Sequence, residues 1–204
     1  MEALHIMSDL TGQTLYVSVE DVANMEGHAE LLRGRLVITD KTTPAHNNAV
    51  TGLYTALNAY IKKQNGDCKV FTENVALYCN ELCDDKTNFF LPDIMVVCDK
   101  NGIKDDGIHT APRFVAEVTS EFTRRNDYDI KSSVYCKIGV SEYWIVDLQK
   151  KLVIKNTFDG EVFLPEMVHF PNVSSLPVDA YPGLTIDFIR SGPRRPGPPA
   201  PPSS

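Results

Sequence analysis

Two short apolar runs, each carrying a single carboxylate, dominate the pattern of hydrophobic and polar positions along the chain. Ile94, Met95, Val96, Val97 and Cys98 follow Asp93, and Phe114, Val115, Ala116 and Val118 surround Glu117. Continuous apolar runs of this length, bounded by turn residues, predict buried strands. Asn101-Gly102, Asp106-Gly107 and Pro112 lie between them. That turn chemistry lets the second run return beside the first as a hairpin partner or near neighbour.

The flanking pattern predicts helices and strands on either side. Ser18 caps a short helix with Glu20 and Asp21 in its first turn, ending near Met25 to Gly27. The runs from Ala29 and from Arg35 to Thr39 read as two strands joined by a tight turn at Gly34, with Glu30 at the start of the first. Thr43-Pro44 opens a helix with a hydroxyl cap and a proline in the first turn. Val50, Leu53, Tyr54, Leu57, Tyr60 and Ile61 then recur at helical spacing to about Lys63. His46 falls in the first turn of that helix.

Lys69 to Thr72 and Val75 to Tyr78 read as strands, and a polar loop from Asn80 to Asn88 leads on to Asp93. Beyond Glu117 a helix is expected from about Arg124 to Lys137. Ile130, Val134 and Ile138 form one stripe of it, and Asp127, Lys131 and Tyr135 form the stripe beside it. Its N-terminal half stands near the carboxylates if the helix packs back across the sheet. Glu142 to Asp147 resumes a strand with Tyr143 and Trp144 as core aromatics. Leu152 to Thr157 and Val162 to Leu164 add a meander turning at Asp159-Gly160, and Leu184 to Phe188 forms a last strand. The first seventeen residues are weakly patterned.

Length and composition suit one folded domain over residues 1–189. The proline-rich residues 190–204 cannot build a core and are expected to be a disordered tail. Hydrophobic residues make up 43% and charged residues 23% of the chain. No apolar run approaches the ~20 residues a membrane-spanning helix needs, so a soluble protein without a membrane partner is expected. The segment from Met1 to Asp9 is acidic and lacks a basic stretch followed by an apolar one, which points away from a secretory signal. Five cysteines without a repeating spacing suggest reduced thiols in a cytoplasm. The net charge of -7 argues against tight nonspecific binding to nucleic acid, although a local basic groove is compatible with it.

An isolated carboxylate inside an apolar strand is costly by several kcal/mol unless something compensates it. Two of them on neighbouring strands, Asp93 and Glu117, therefore predict a cation between them. Hard oxygen ligands without a paired histidine or cysteine favour Mg²⁺ or Mn²⁺.

Pro92-Asp93, Glu117-Val-Thr-Ser120 and Arg125-Asn-Asp127-x-x-x-Lys131-x-x-x-Tyr135-x-x-x-Gly139-Val140-x-Glu142-Tyr143-Trp144-x-Val146-Asp147 together resemble a small bacterial family of restriction-endonuclease-like proteins in the PD-(D/E)XK nuclease superfamily. The resemblance spans most of residues 18–165, and Glu30 and His46 also fall where that family carries a glutamate and a histidine. It implies an α/β fold of the α+β kind: a mixed β-sheet core flanked by helices, to which the later strands add an antiparallel meander.

The implied activity is metal-dependent hydrolysis of nucleic-acid phosphodiester bonds, with DNA as the expected substrate and a homodimer as the assembly suited to cutting two strands. Asp93, Glu117 and the backbone carbonyl of Val118 would hold the metal. Glu30 would extend the site, and His46 would contact phosphate or act as an acid. The superfamily's lysine two residues after the glutamate is here Thr119, and Lys131 is its natural substitute. Glu121 and Phe122 replace the family's usual proline and serine.

Two other classes remain. A nuclease fold without turnover, acting as a nucleic-acid or protein interaction module, fits Thr119 and the negative charge. A Cys-His hydrolase using Cys98 or Cys136 with His109 lacks any nucleophile turn around either cysteine.

Overall fold

Six strands, Lys69–Thr72, Ile94–Val97, Phe114–Thr119, Glu142–Asp147, Leu152–Phe158 and Phe163–His169, lie side by side in chain order and form the central sheet of the computed structural model. The structure describes residues 17–39, 42–83, 87–170 and 175–188. The first sixteen residues and the proline-rich tail lie outside that set.

A capping box at Ser18 and Asp21 starts α1 (Val19–Ala23) as expected. It leads into the hairpin of β1 (His28–Leu32) and β2 (Arg35–Thr39), whose two-residue turn places Arg33 and Gly34 at φ of 50° and 78°. Consecutive left-handed residues match the twist of the flanking strands, which is why glycine suits the second position. Thr43 caps α2 (Pro44–Lys63), which buries Val50, Leu53, Leu57 and Ile61.

β3 (Lys69–Thr72) follows, and then α3 (Cys79–Leu82). The expected strand from Val75 to Tyr78 reduces to single bridges from Leu77 to Phe90 and Ile108. The segment is pinned by its neighbours instead: Gly107 packs so closely that a Cβ there would lie 2.7 Å from the Ala76 carbonyl oxygen.

β4 (Ile94–Val97) and β5 (Phe114–Thr119) are buried along their whole length and pair antiparallel, as the two apolar runs predict. A π-helical segment, Asn126–Lys131, continues into α4 (Ser132–Lys137) and crosses to β6 (Glu142–Asp147), which lies parallel to β5. The sequence pattern predicts this helix but not its wide first half. There the Tyr143 hydroxyl donates to the Asp127 carbonyl at 3.0 Å, and such π turns are often found at functional sites. β7 (Leu152–Phe158) and β8 (Phe163–His169) complete the meander, and β9 (Ser175–Pro177) pairs with β10 (Thr185–Asp187).

Alternation along the strands divides the core. Ile94, Val96, Phe114, Ala116, Val118 and Trp144 face α2 and the β9–β10 hairpin. Met95, Val97, Val115, Tyr143 and Ile145 face α4 through Val134, Tyr135 and Ile138. With a period of two, Glu117 shares the face of Val115 and so points at the crossover helix.

The thiols depart from expectation: Cys68 and Cys98 form a disulfide. Lys69 pairs with Val97 across β3 and β4, so these cysteines stand opposite one another one step further on, with Cα atoms 4.0 Å apart.

Asp147, at the end of β6, accepts from Arg124 Nε at 2.8 Å and from the Lys150 N–H at 2.9 Å. Burial pushes its carboxyl up, but these partners outweigh burial and hold it below the usual carboxylate range. With the folded pKa below the unfolded one, its stabilisation is complete above about pH 4 and lost as pH falls through the folded value. Asp147→Asn should therefore cost about 2 kcal/mol at neutral pH. In urea unfolding, the gap to wild type should narrow below about pH 4.

Candidate active site

Asp93, Glu117, Lys131, Glu30 and His46 come from five different elements or their borders and meet at one end of the central sheet. Asp93 immediately precedes β4, and its Oδ2 accepts the Val118 N–H at 2.7 Å. Val118 thus meets Asp93 through its amide. The Asp93 N–H lies 3.5 Å from Glu117 Oε2, so the two acids singled out by the apolar runs are neighbours across the β4–β5 pair.

Lys131 reaches this point from the π-helical segment. Its Nζ lies 2.9 Å from Glu117 Oε1, 2.9 Å from Glu30 Oε1 and 3.8 Å from Asp127 Oδ1. The Tyr135 hydroxyl, one turn on, donates to Glu117 Oε1 at 2.7 Å. Lys131 and Tyr135 therefore both reach the Glu117 carboxylate, and Asp127, on the same stripe, reaches Lys131. Glu30 Oε1 also accepts the Leu91 N–H at 2.8 Å, which ties β1 to the segment entering Asp93.

The electrostatics follow from burial. Burial would lower the Lys131 pKa, but Glu117, Glu30 and Asp127 raise it well above the ordinary value, so the amine stays charged. Burial pushes Asp127 up to about 6 against the pull of Lys131. It pushes Glu117 up as well, with Asp93, Asp127 and Glu30 acting in the same direction and Lys131 opposing them. The Tyr135 hydroxyl is raised by burial and by Glu117, which keeps it a donor.

His46, in the first turn of α2, brings its Nε2 to 3.1 Å from Asp93 Oδ2, and its Nδ1 lies 3.5 Å from Glu73 Oε1. Burial alone would lower its pKa, but Asp93, Glu73 and Asp127 raise it. Glu73 is the member that sequence reasoning missed. It follows β3 as an ordinary polar turn residue, and only the β3–β4 register, with Thr72 opposite Ile94, sets it across from Asp93.

One donor atom each from His46, Glu73 and Asp93 lies within 4.8 Å of the others. His46 Nδ1 and Glu73 Oε1 are shielded from solvent and have no hydrogen-bond partner among the described residues. Glu30, Glu73, Asp93, Glu117 and Asp127 set five carboxylates against one lysine and one histidine. That excess of buried and half-buried carboxylates fits a divalent cation.

The other histidine reading does not survive. His109 is held between Glu81 at 2.6 Å and Asp106 at 3.1 Å and stacks on Tyr78. Cys98 is in the disulfide and Cys136 Sγ lies against the Glu161 carbonyl. Neither Cys98 nor Cys136 pairs with a histidine among the described residues.

A mixed six-stranded sheet flanked by helices, with an acid before one central strand and an acid within the next facing a buried lysine, defines a restriction-endonuclease-like protein. The chain belongs to the Uma2 family, described as "Putative restriction endonuclease", whose family model matches residues 15–188. The structure is similar to a crystal structure from Anabaena variabilis ATCC 29413, described as "a putative nuclease belonging to DUF820". The TM-score is 0.62 at 16% sequence identity, covering 81% of this chain and 90% of that one. At this identity the likeness bears on the fold alone. No curated protein matches the chain. No helix among the described residues is long and apolar enough to cross a membrane.

Removing one partner from a buried charge cluster leaves the rest uncompensated, at a typical cost of about 3–5 kcal/mol. Lys131→Met should destabilise the protein by that order in urea unfolding. Adding Glu117→Gln to Lys131→Met should recover part of the loss, because the two side chains share one interaction.

Proposed function

We propose that the protein is a metal-dependent nuclease hydrolysing phosphodiester bonds in DNA, with Asp93 and Glu117 at the metal and the Val118 carbonyl as a third ligand. The observation that carries this reading is the Asp93–Glu117 pair on adjacent strands, beside a buried cluster in which acids outnumber bases. Mg²⁺ or Mn²⁺ bound there would supply charge to the phosphate and acidity to a water.

The chain's own residues have separable tasks in this scheme. The Val118 N–H fixes the Asp93 carboxylate. Lys131, charged throughout, holds Glu117 and Glu30 in place and sets positive potential behind the reacting phosphate. Tyr135 locks the Glu117 rotamer. His46, hydrogen-bonded to Asp93, stands where it can meet a phosphate oxygen or donate a proton. The family match over residues 15–188 supports reading the folded part as one catalytic domain, with residues 190–204 as a tail. A cytoplasmic homodimer, each copy cutting one strand, completes the proposal.

A second reading keeps the fold without turnover, as a nucleic-acid or protein interaction module. Thr119 favours it, since it stands where the superfamily carries a lysine and its hydroxyl lies 3.3 Å from that of Thr123.

Incubation of the full chain with plasmid and single-stranded DNA should give cleavage in Mg²⁺ or Mn²⁺ and none in EDTA. Asp93→Asn should cut at least about a hundredfold more slowly, the loss expected when several kcal/mol of metal-borne stabilisation is removed. Metal binding without cleavage of either substrate would instead favour the interaction module.

A further inference from the structure

The carboxylate that the apolar runs point to most strongly is also the one most fully engaged. Glu117 Oε1 accepts from both Lys131 and Tyr135, which leaves mainly Oε2 for an ion. The unsatisfied atoms lie on the other side of Asp93. His46 Nδ1 and Glu73 Oε1 are buried, face each other at 3.5 Å, and have no hydrogen-bond partner among the described residues. The two atoms face each other without a hydrogen bond between them, and a cation shared by the three groups would give both a partner.

We infer that Glu73 and His46 join Asp93 as metal ligands, His46 in place of the phosphate-contact or acid role given above, so that the site has a mixed nitrogen and oxygen donor set that takes Mn²⁺ in preference to Mg²⁺. The inference rests on the metal-dependent reading above but not on cleavage itself.

Three features of the fold place these donors. The antiparallel register of β3 and β4 sets Glu73 opposite Asp93, one step beyond Thr72 and Ile94. The Thr43 side chain caps the His46 N–H at 3.2 Å and so fixes the first turn of α2 over the same point. One donor atom from each residue lies within 4.8 Å of the others, a spacing that bonds of about 2.1 Å to one ion can close with small side-chain rotations. Imidazole is a poor ligand for Mg²⁺, which prefers oxygen and retains its waters, whereas Mn²⁺ and its first-row neighbours accept nitrogen readily. Beside Glu73, between α2 and β3, a groove of about 420 Å³ lined by Asn47, Thr51, Tyr54 and Phe71 leaves this side of the ion open to a ligand from outside.

The test is Mn²⁺ titration of the full chain, with free Mn²⁺ followed by electron paramagnetic resonance and the bound ion examined by pulsed methods for ¹⁴N coupling. Wild type should bind Mn²⁺ at least about tenfold more tightly than Mg²⁺ in competition and should show directly bound nitrogen. His46→Gln should lose the nitrogen signal. Glu73→Gln should keep that signal and lose at least about tenfold in Mn²⁺ affinity.

Absence of ¹⁴N coupling in wild type overturns the assignment without recourse to any variant. Glu73→Gln binding Mn²⁺ as tightly as wild type, or no binding of Mn²⁺ by wild type, overturns it as well. A protein that shows the nitrogen signal and the Glu73 dependence but cuts no DNA upholds the assignment and sinks the nuclease reading. One that cuts DNA without them does the reverse.

Discussion

The buried ammonium of Lys131 is the constraint on which the rest of the site depends. It draws Glu30 from β1, Glu117 from β5 and Asp127 from its own helix to one point. None of these groups could be withdrawn from water alone, because an uncompensated buried charge costs several kcal/mol. The β1–β2 hairpin, the central sheet and the crossover helix are consequently positioned together. Glu30 extends that coupling to the Leu91 N–H and so to the approach of Asp93. The same geometry accounts for Thr119: the ammonium reaches the glutamate from the crossover helix, so residue 119 is free to be a hydroxyl that packs against Thr123.

The second constraint is strand register. Glu73, Asp93 and Val118 are far apart in the chain, yet antiparallel pairing of β3 with β4 and of β4 with β5 brings them to one end of the sheet. Because side chains alternate with a period of two, a slip of one residue would send Glu117 to the α2 side, away from Lys131 and Tyr135. The register of β3 against β4 is clamped by the Cys68–Cys98 disulfide at the end opposite Glu73. Placement of the Glu73 carboxylate by a short edge strand thus has a covalent anchor a few residues away.

Much of this architecture is written locally. The apolar runs at Ile94 and Phe114, the capped starts at Ser18 and Thr43, the Asp127, Lys131 and Tyr135 stripe, and the turns at Gly34 and Asp159-Gly160 follow from periodicity and turn chemistry, and each forms in the structure. Asp93 and Glu117 could be singled out because a charge within or beside an apolar run is conspicuous, and Lys131 by its stripe with Asp127 and Tyr135 together with the family resemblance. Two local expectations fail for tertiary reasons. The segment from Val75 to Tyr78 has the pattern of a strand but lies where only Leu77 finds bridging partners. Cys68 and Cys98 have no recognisable spacing and become a pair through strand alignment.

The sequence by itself determined most of the elements, their buried faces and the two acids that need compensation, since those depend on the spacing of residues within a few turns or one strand. Only the tertiary structure decided that Glu73 stands across from Asp93, that His46 lies between them, and that Glu117 is held by Lys131 and Tyr135 together. Those facts depend on register and on the docking of α2 and the crossover helix onto the sheet. They are relations between distant segments, which no local pattern encodes.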